Sequence, residues 1–158
     1  MKPTKLIPAL AIALTVSLSV LTVSAQAQDA VSAAIKARQA QMALYAFNLG
    51  QLGAMAKGAV DYDADAAKAA AGNLVKLTSL SGGAMWLPGS DDMSADKTRA
   101  LPAIWENFPD VAAKASAVAE AAVAMDAASG NGLDAVRAAI GPLGGACGAC
   151  HKAYRAPE

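Results

Sequence analysis

Both cysteines of this chain and its single histidine fall in one pentapeptide, Cys147-Gly-Ala-Cys150-His151, close to the C-terminal end. Four chemistries use parts of such a motif. A thiol redox pair of the thioredoxin type needs a strand running into the helix that carries it, and no strand pattern precedes this one. A structural zinc ion takes about four protein ligands, and two cysteines and one histidine are all the chain offers. A disulfide across Cys-x-x-Cys is a strained link and leaves His151 unexplained. Covalent haem attachment uses all three residues. The two thiols add to the two vinyl groups of the macrocycle as thioethers, and residues three apart share one face of a helix. The adjacent histidine then supplies a nitrogen to the iron. With one histidine, a second imidazole from the same chain is excluded. The other face of the iron is left to methionine, lysine, asparagine, water or nothing.

The elements that position this motif read as helices. Alanine dominates, β-branched residues are scattered, and no stretch alternates apolar and polar. A first helix is expected over about residues 29–57, with Val31, Ile35, Met42, Leu49, Leu52 and Met55 on one stripe and Gly58 ending it. A second spans about 63–80, capped by Asp63, with Leu74, Leu77 and Leu80 on a face. Residues 81–101 read as a loop. A third helix spans about 102–128, kinked or split at Pro109, and a fourth about 133–154, bent by Pro142. Four such helices predict an all-α, antiparallel up-down-up-down four-helix bundle.

That topology narrows the methionines. The end of the fourth helix lies beside the start of the first and the long loop. Met125, at the end of the third helix, belongs to the opposite end. So does Met55, about 20 Å along the first helix from Met42. Met42, Met85 and Met93 are left. Met42 has the better warrant, being on a rigid helix with Arg38 one turn earlier, where a guanidinium could pair with a haem propionate. Its alternative reading is an ordinary core methionine.

The N-terminal segment predicts export. Lys2 and Lys5 precede an apolar run from Ile7 to Val23, and Ala25 and Ala27 form an A-x-A site, so residues 1–27 read as a bacterial secretory signal cleaved after Ala27. A retained membrane anchor is the alternative. Residues 28–158 then form one domain with 11 basic against 13 acidic residues. No basic run suggests nucleic acid, and the domain is expected to be soluble in the periplasm.

Several stretches resemble the cytochrome c′ family, the class II c-type cytochromes: "IKARQAQM", "LGAMAKG", "MWLPGS", "ALPAIWEN" and "IGPLGGACGACHKAYR". The resemblance covers essentially the whole mature chain. It implies one covalent haem c on Cys147 and Cys150, His151 as proximal iron ligand, and haem contacts from Arg38, Arg155 and Trp86, with Trp105 nearby. It implies no enzyme. In low-spin members a methionine at the position of Met42 closes the sixth iron site and the protein carries electrons between redox partners. In high-spin members that site is open and binds nitric oxide or carbon monoxide. "NLGQLGAMAKG" looks more like the low-spin subgroup. Homodimers are common in the resembling family.

Overall fold

The computed structural model describes the backbone of residues 10–157 and the side chains of residues 27–157. Residues 1–9 of the predicted signal, and the side chains of 10–26, lie outside the described residues. Among the described residues there are four long α-helices and one short one: α1 Leu10–Ala56, α2 Ala64–Thr78, α3 Ala103–Glu106, α4 Phe108–Ser129 and α5 Leu133–Tyr154. No described helix is long and apolar enough to cross a membrane. α1 begins well before the expected residue 29. Neither glycine nor proline occurs between Leu10 and Asp29, so nothing there interrupts helical geometry.

The ends follow from local chemistry. Gly58, at φ +71°, closes α1 with paired bonds, Ala59 N to Ala54 O at 2.9 Å and Gly58 N to Met55 O at 3.0 Å. The Asp63 carboxylate accepts from the backbone N–H groups of Asp65 and Ala66, both at 2.9 Å, and so starts α2. The third predicted helix is split just before Pro109. Asn107 leaves helical geometry, and Pro109 sits in the first turn of α4, where its missing N–H costs nothing. α5 is continuous through Pro142.

α1 packs on α2 and α5, and α4 packs on α2 and α5, which closes the ring of four. At one end Tyr62 ties the two short connections together, its hydroxyl donating to Ser129 O at 2.8 Å and accepting from Gly132 N at 3.2 Å. The core runs from that end toward Cys147 and holds Leu52, Met55, Met125, Val136 and Leu143. Full burial of such side chains stabilises by roughly 1.5–3 kcal/mol each. The buried face of α2 coincides with the predicted leucine face only in part. Ala67, Ala70, Ala71 and Leu74 line it, while Leu80 is exposed. The Thr78 and Ser79 hydroxyls donate to Val75 O and Lys76 O and finish the helix before Leu80.

The stripe of α1 is also mixed. Ile35, Leu52 and Met55 are buried, but so are Arg38 and Asn48, and Met42 is 38% exposed. Asn48 is satisfied across the α1–α2 interface, accepting from Asn73 Nδ2 at 3.1 Å. Such a pair fixes the register of two alanine-lined helices.

Candidate functional site

Cys147, Cys150 and His151 occupy the last two turns of α5. Both cysteines are free and half-buried. Burial pushes both thiols above their ordinary pKa. That is the reverse of an activated redox thiol, and the motif ends a helix instead of starting one. His151 is held below its ordinary pKa by burial first, then by the charges of Arg155 and Arg99. Burial and both charges favour the neutral imidazole, the form that ligates a metal.

The two cysteines face different surroundings. Cys147 meets Tyr45, Leu49, Leu74 and Leu143 around a small apolar cavity between the bundle core and the motif. Cys150 packs against a second cluster built on Ala100, Ile104 and Tyr154, with Trp86, Trp105 and Val111 around it. The rings of Trp86 and Trp105 stand 6.4 Å apart at 57°, and the Trp105 indole N–H donates to Trp86 O at 3.1 Å.

Arg38 borders the same cluster from α1. Its guanidinium lies 4.9 Å from the Trp86 ring centre. It donates to Ser90 Oγ at 2.7 Å, Thr98 Oγ1 at 2.6 Å and Met85 O at 3.4 Å, and also to Ser90 O. The loop is shaped to receive it. Pro88-Gly89 makes a turn with Gly89 at φ +77° and Ser90 N donating to Leu87 O at 3.2 Å. That turn presents the fully buried Ser90 to Arg38. Any propionate contact by Arg38 comes in addition to these bonds or in exchange for them.

Met42 lies between the two walls. Arg38, four residues before it, reaches the tryptophan side, and Tyr45, three residues after it, reaches Cys147. The three share one face of α1. Met42 is 38% exposed while Arg38 is 4% exposed. An apolar side chain left open between the buried Arg38 and the half-buried Tyr45 is one that a flat apolar group lying against α1 and α5 would cover. Met55 and Met125 are in the core at the other end. Met85 and Met93 are on the loop, Met93 82% exposed. Two half-buried thiols one turn apart, an adjacent neutral imidazole and this apolar surround fit haem c. Arg155, exposed, follows one turn after His151.

Two features of this end were not anticipated from the sequence. The segment after α5 pairs with the loop: Leu101 N donates to Tyr154 O at 3.0 Å, Ala156 N to Arg99 O at 2.8 Å, and Arg99 Nε to Ala156 O at 3.0 Å. The buried Tyr154 hydroxyl also donates to Asp110 Oδ2 at 2.6 Å, and Lys114 donates to the other oxygen of Asp110 at 2.8 Å. The bond to Asp110 pushes the Tyr154 hydroxyl up to about 12 from 10.0. A raised acid favours its protonated form in the fold. Its contribution to stability is therefore whole below about pH 10 and lost between about pH 10 and 12. Chemical denaturation across the alkaline range should show wild-type stability falling over that interval, and Tyr154→Phe should flatten the fall.

A protein-family model described as Cytochrome C′ matches residues 33–155. The chain belongs to the cytochrome c′ family, whose members are c-type cytochromes with one covalently bound haem c. It is 43% identical over 148 residues to cytochrome c-554 of Cereibacter sphaeroides, covering 94% of this chain and 97% of that protein. Its fold is similar to that of a solved cytochrome c′ from Rhodobacter Spheriodes, with a TM-score of 0.79 and 38% identity over 81% of this chain and 98% of the other. A carbon-monoxide-bound variant of cytochrome c prime from Alcaligenes xylosoxidans is 34% identical, with a TM-score of 0.70 over 80% of this chain and 97% of that one.

Proposed function

We propose that this protein is an exported, single-haem electron carrier in which His151 and Met42 close the two faces of the iron. Residues 1–27 direct export to the periplasm and are removed. Cys147 and Cys150 hold the haem as thioethers, with Arg155, Arg38 and Trp86 at its edge. The haem supplies a one-electron iron couple. The chain supplies the ligands, the apolar surround and a fixed geometry. A sulfur ligand and burial both raise the reduction potential relative to a second nitrogen in water. Keeping six ligands in both oxidation states leaves little to reorganise when an electron moves.

The observation that carries this reading is the place of Met42, on one face with Arg38 and Tyr45 and between the two clusters that receive Cys150 and Cys147. Near-infrared magnetic circular dichroism of the ferric protein tests it. A methionine-sulfur-to-iron charge-transfer band is expected, and its absence from a protein that carries haem would sink the sixth-ligand assignment.

The second reading is an open sixth site that binds nitric oxide or carbon monoxide. It is favoured by the carbon-monoxide-bound relative. Pairing of two copies is proposed through the outward stripe of α1, where Leu44 and Phe47 are 50% and 66% exposed beside Ala33, Ala37 and Ala40. Sedimentation equilibrium of the holoprotein should give twice the chain mass, and a monomer at all concentrations would reject it.

A further inference from the structure

We infer that residues 85–101 form a strap that sets the distance between the two axial ligands, with Arg38 as the positioning residue that holds it. The inference rests on the Met42 reading above.

The strap is fastened at both ends, and each fastening lies one helical turn from a ligand. On α1 the fastening is Arg38, four residues before Met42. It bonds Met85, Ser90 and Thr98, and Gln39 Nε2 adds a bond to Lys97 O at 2.6 Å. On α5 the fastening is the pairing of Arg99–Leu101 with Tyr154–Ala156, three to five residues after His151. Arg155 N also donates to His151 O at 3.0 Å, so the paired segment continues the turn that carries the histidine.

Three further observations show that the strap is held and not merely resting there. Ser90 is fully buried and Arg38 is 4% exposed, so these bonds are shielded from water, where charged hydrogen bonds count most. Lys97 has φ +59°, an uncommon conformation for a residue other than glycine. Such a conformation persists where its surroundings over-determine it, and here Gln39 and Arg38 grip residues 97 and 98. The strap also closes on itself, with Asp92 N donating to Ala100 O at 2.8 Å. α1 and α5 touch directly as well, but the strap spans them at the level of the ligands. Loosening it should let α1 drift from the iron by enough to lose a thioether sulfur. A small gas would then find the open position.

The test uses the full-length holoprotein and four variants: Arg38→Gln, Thr98→Val, Ser90→Ala and, as a control, Asn73→Ala. Asn73 is in another interface, bonded to Asn48. Reported for each are the high-spin fraction of the ferric spectrum, the carbon monoxide association rate of the reduced protein, and amide hydrogen exchange at Leu101 and Ala156. Arg38→Gln should raise the carbon monoxide rate about tenfold or more, as expected when the gas-competent fraction rises from about 1% to about 10%. Thr98→Val and Ser90→Ala should move it the same way by a few-fold, with faster exchange at Leu101. Asn73→Ala should lower stability and leave the spectrum and the rate unchanged.

Two results would overturn the strap. One is faster exchange at Leu101 with wild-type spectrum and rate in all three strap variants. The other is a shift in Arg38→Gln alone, which would mean that Arg38 acts on the haem directly. Should Arg38→Gln not fold, the two single-acceptor variants decide the matter. A wild-type protein that is already five-coordinate would reject the Met42 reading and is recognised from its own spectrum before any variant is made.

Discussion

Met42→Ala is expected to turn a low-spin ferric haem high-spin and to raise the carbon monoxide affinity of the reduced protein by on the order of 100-fold. The size follows from population arithmetic: where the sulfur-bound state outweighs the open state by about 99 to 1, removing the sulfur frees the site for the gas. The variant should fold. Met42 belongs to neither core cluster, so truncating it opens no cavity in the bundle core. Arg38 and Tyr45, its neighbours on the face, keep their own partners. Visible spectra of both oxidation states and a carbon monoxide titration read the outcome. A variant that stays low-spin would move the ligand to Met85 or Met93 on the strap.

Replacing both cysteines, as Cys147→Ala with Cys150→Ala, should abolish covalent attachment altogether. Acid-organic extraction of the denatured variant should then remove all of its haem, and none from the wild type. Each single variant should keep one thioether and lose none of its haem in the same extraction. The two sites are not equivalent. Cys147 borders the bundle core beside Leu74 and Leu143, and Cys150 borders Ile104 and Tyr154. On the proposed attachment the haem would be fastened to both apolar clusters, and the double variant would lose the covalent link between them. Haem that resists extraction from the double variant would mean that another side chain holds it.

Much of this was legible in the sequence because it depends on short spacings. Cys147, Cys150 and His151 fall within five consecutive residues. The helix ends follow from Gly58, Asp63, Pro109 and Gly132, each acting on its own turn. α5 runs over the predicted residues, and the expected split near Pro109 occurs at Asn107. The exclusion of Met55 and Met125 needed only bundle topology, and both lie in the far core.

What was not legible depends on contacts between residues far apart. The loop after α2 reads as small and polar, yet Ser90 and Thr98 are partners of Arg38, 52 and 60 residues away. A signal was present: an arginine three residues after Ile35, on the buried stripe, requires acceptors, and a Pro-Gly-Ser turn can supply them. Tyr154 and Asp110 carry no such signal, because their bond spans two helices. On α2 the sequence reading found Leu74 but passed over the alanines beside it and included Leu80. Where helices meet through Ala67, Ala70 and Ala71, close approach replaces bulk, and Leu80 falls beyond the helix end.

The most direct test of the central claim is the addition of carbon monoxide to the reduced wild-type holoprotein, followed in the visible spectrum. With Met42 on the iron the starting spectrum should be low-spin, and carbon monoxide should bind slowly and weakly. A high-spin starting spectrum with ready binding would contradict the account and make the open sixth site the function of this protein.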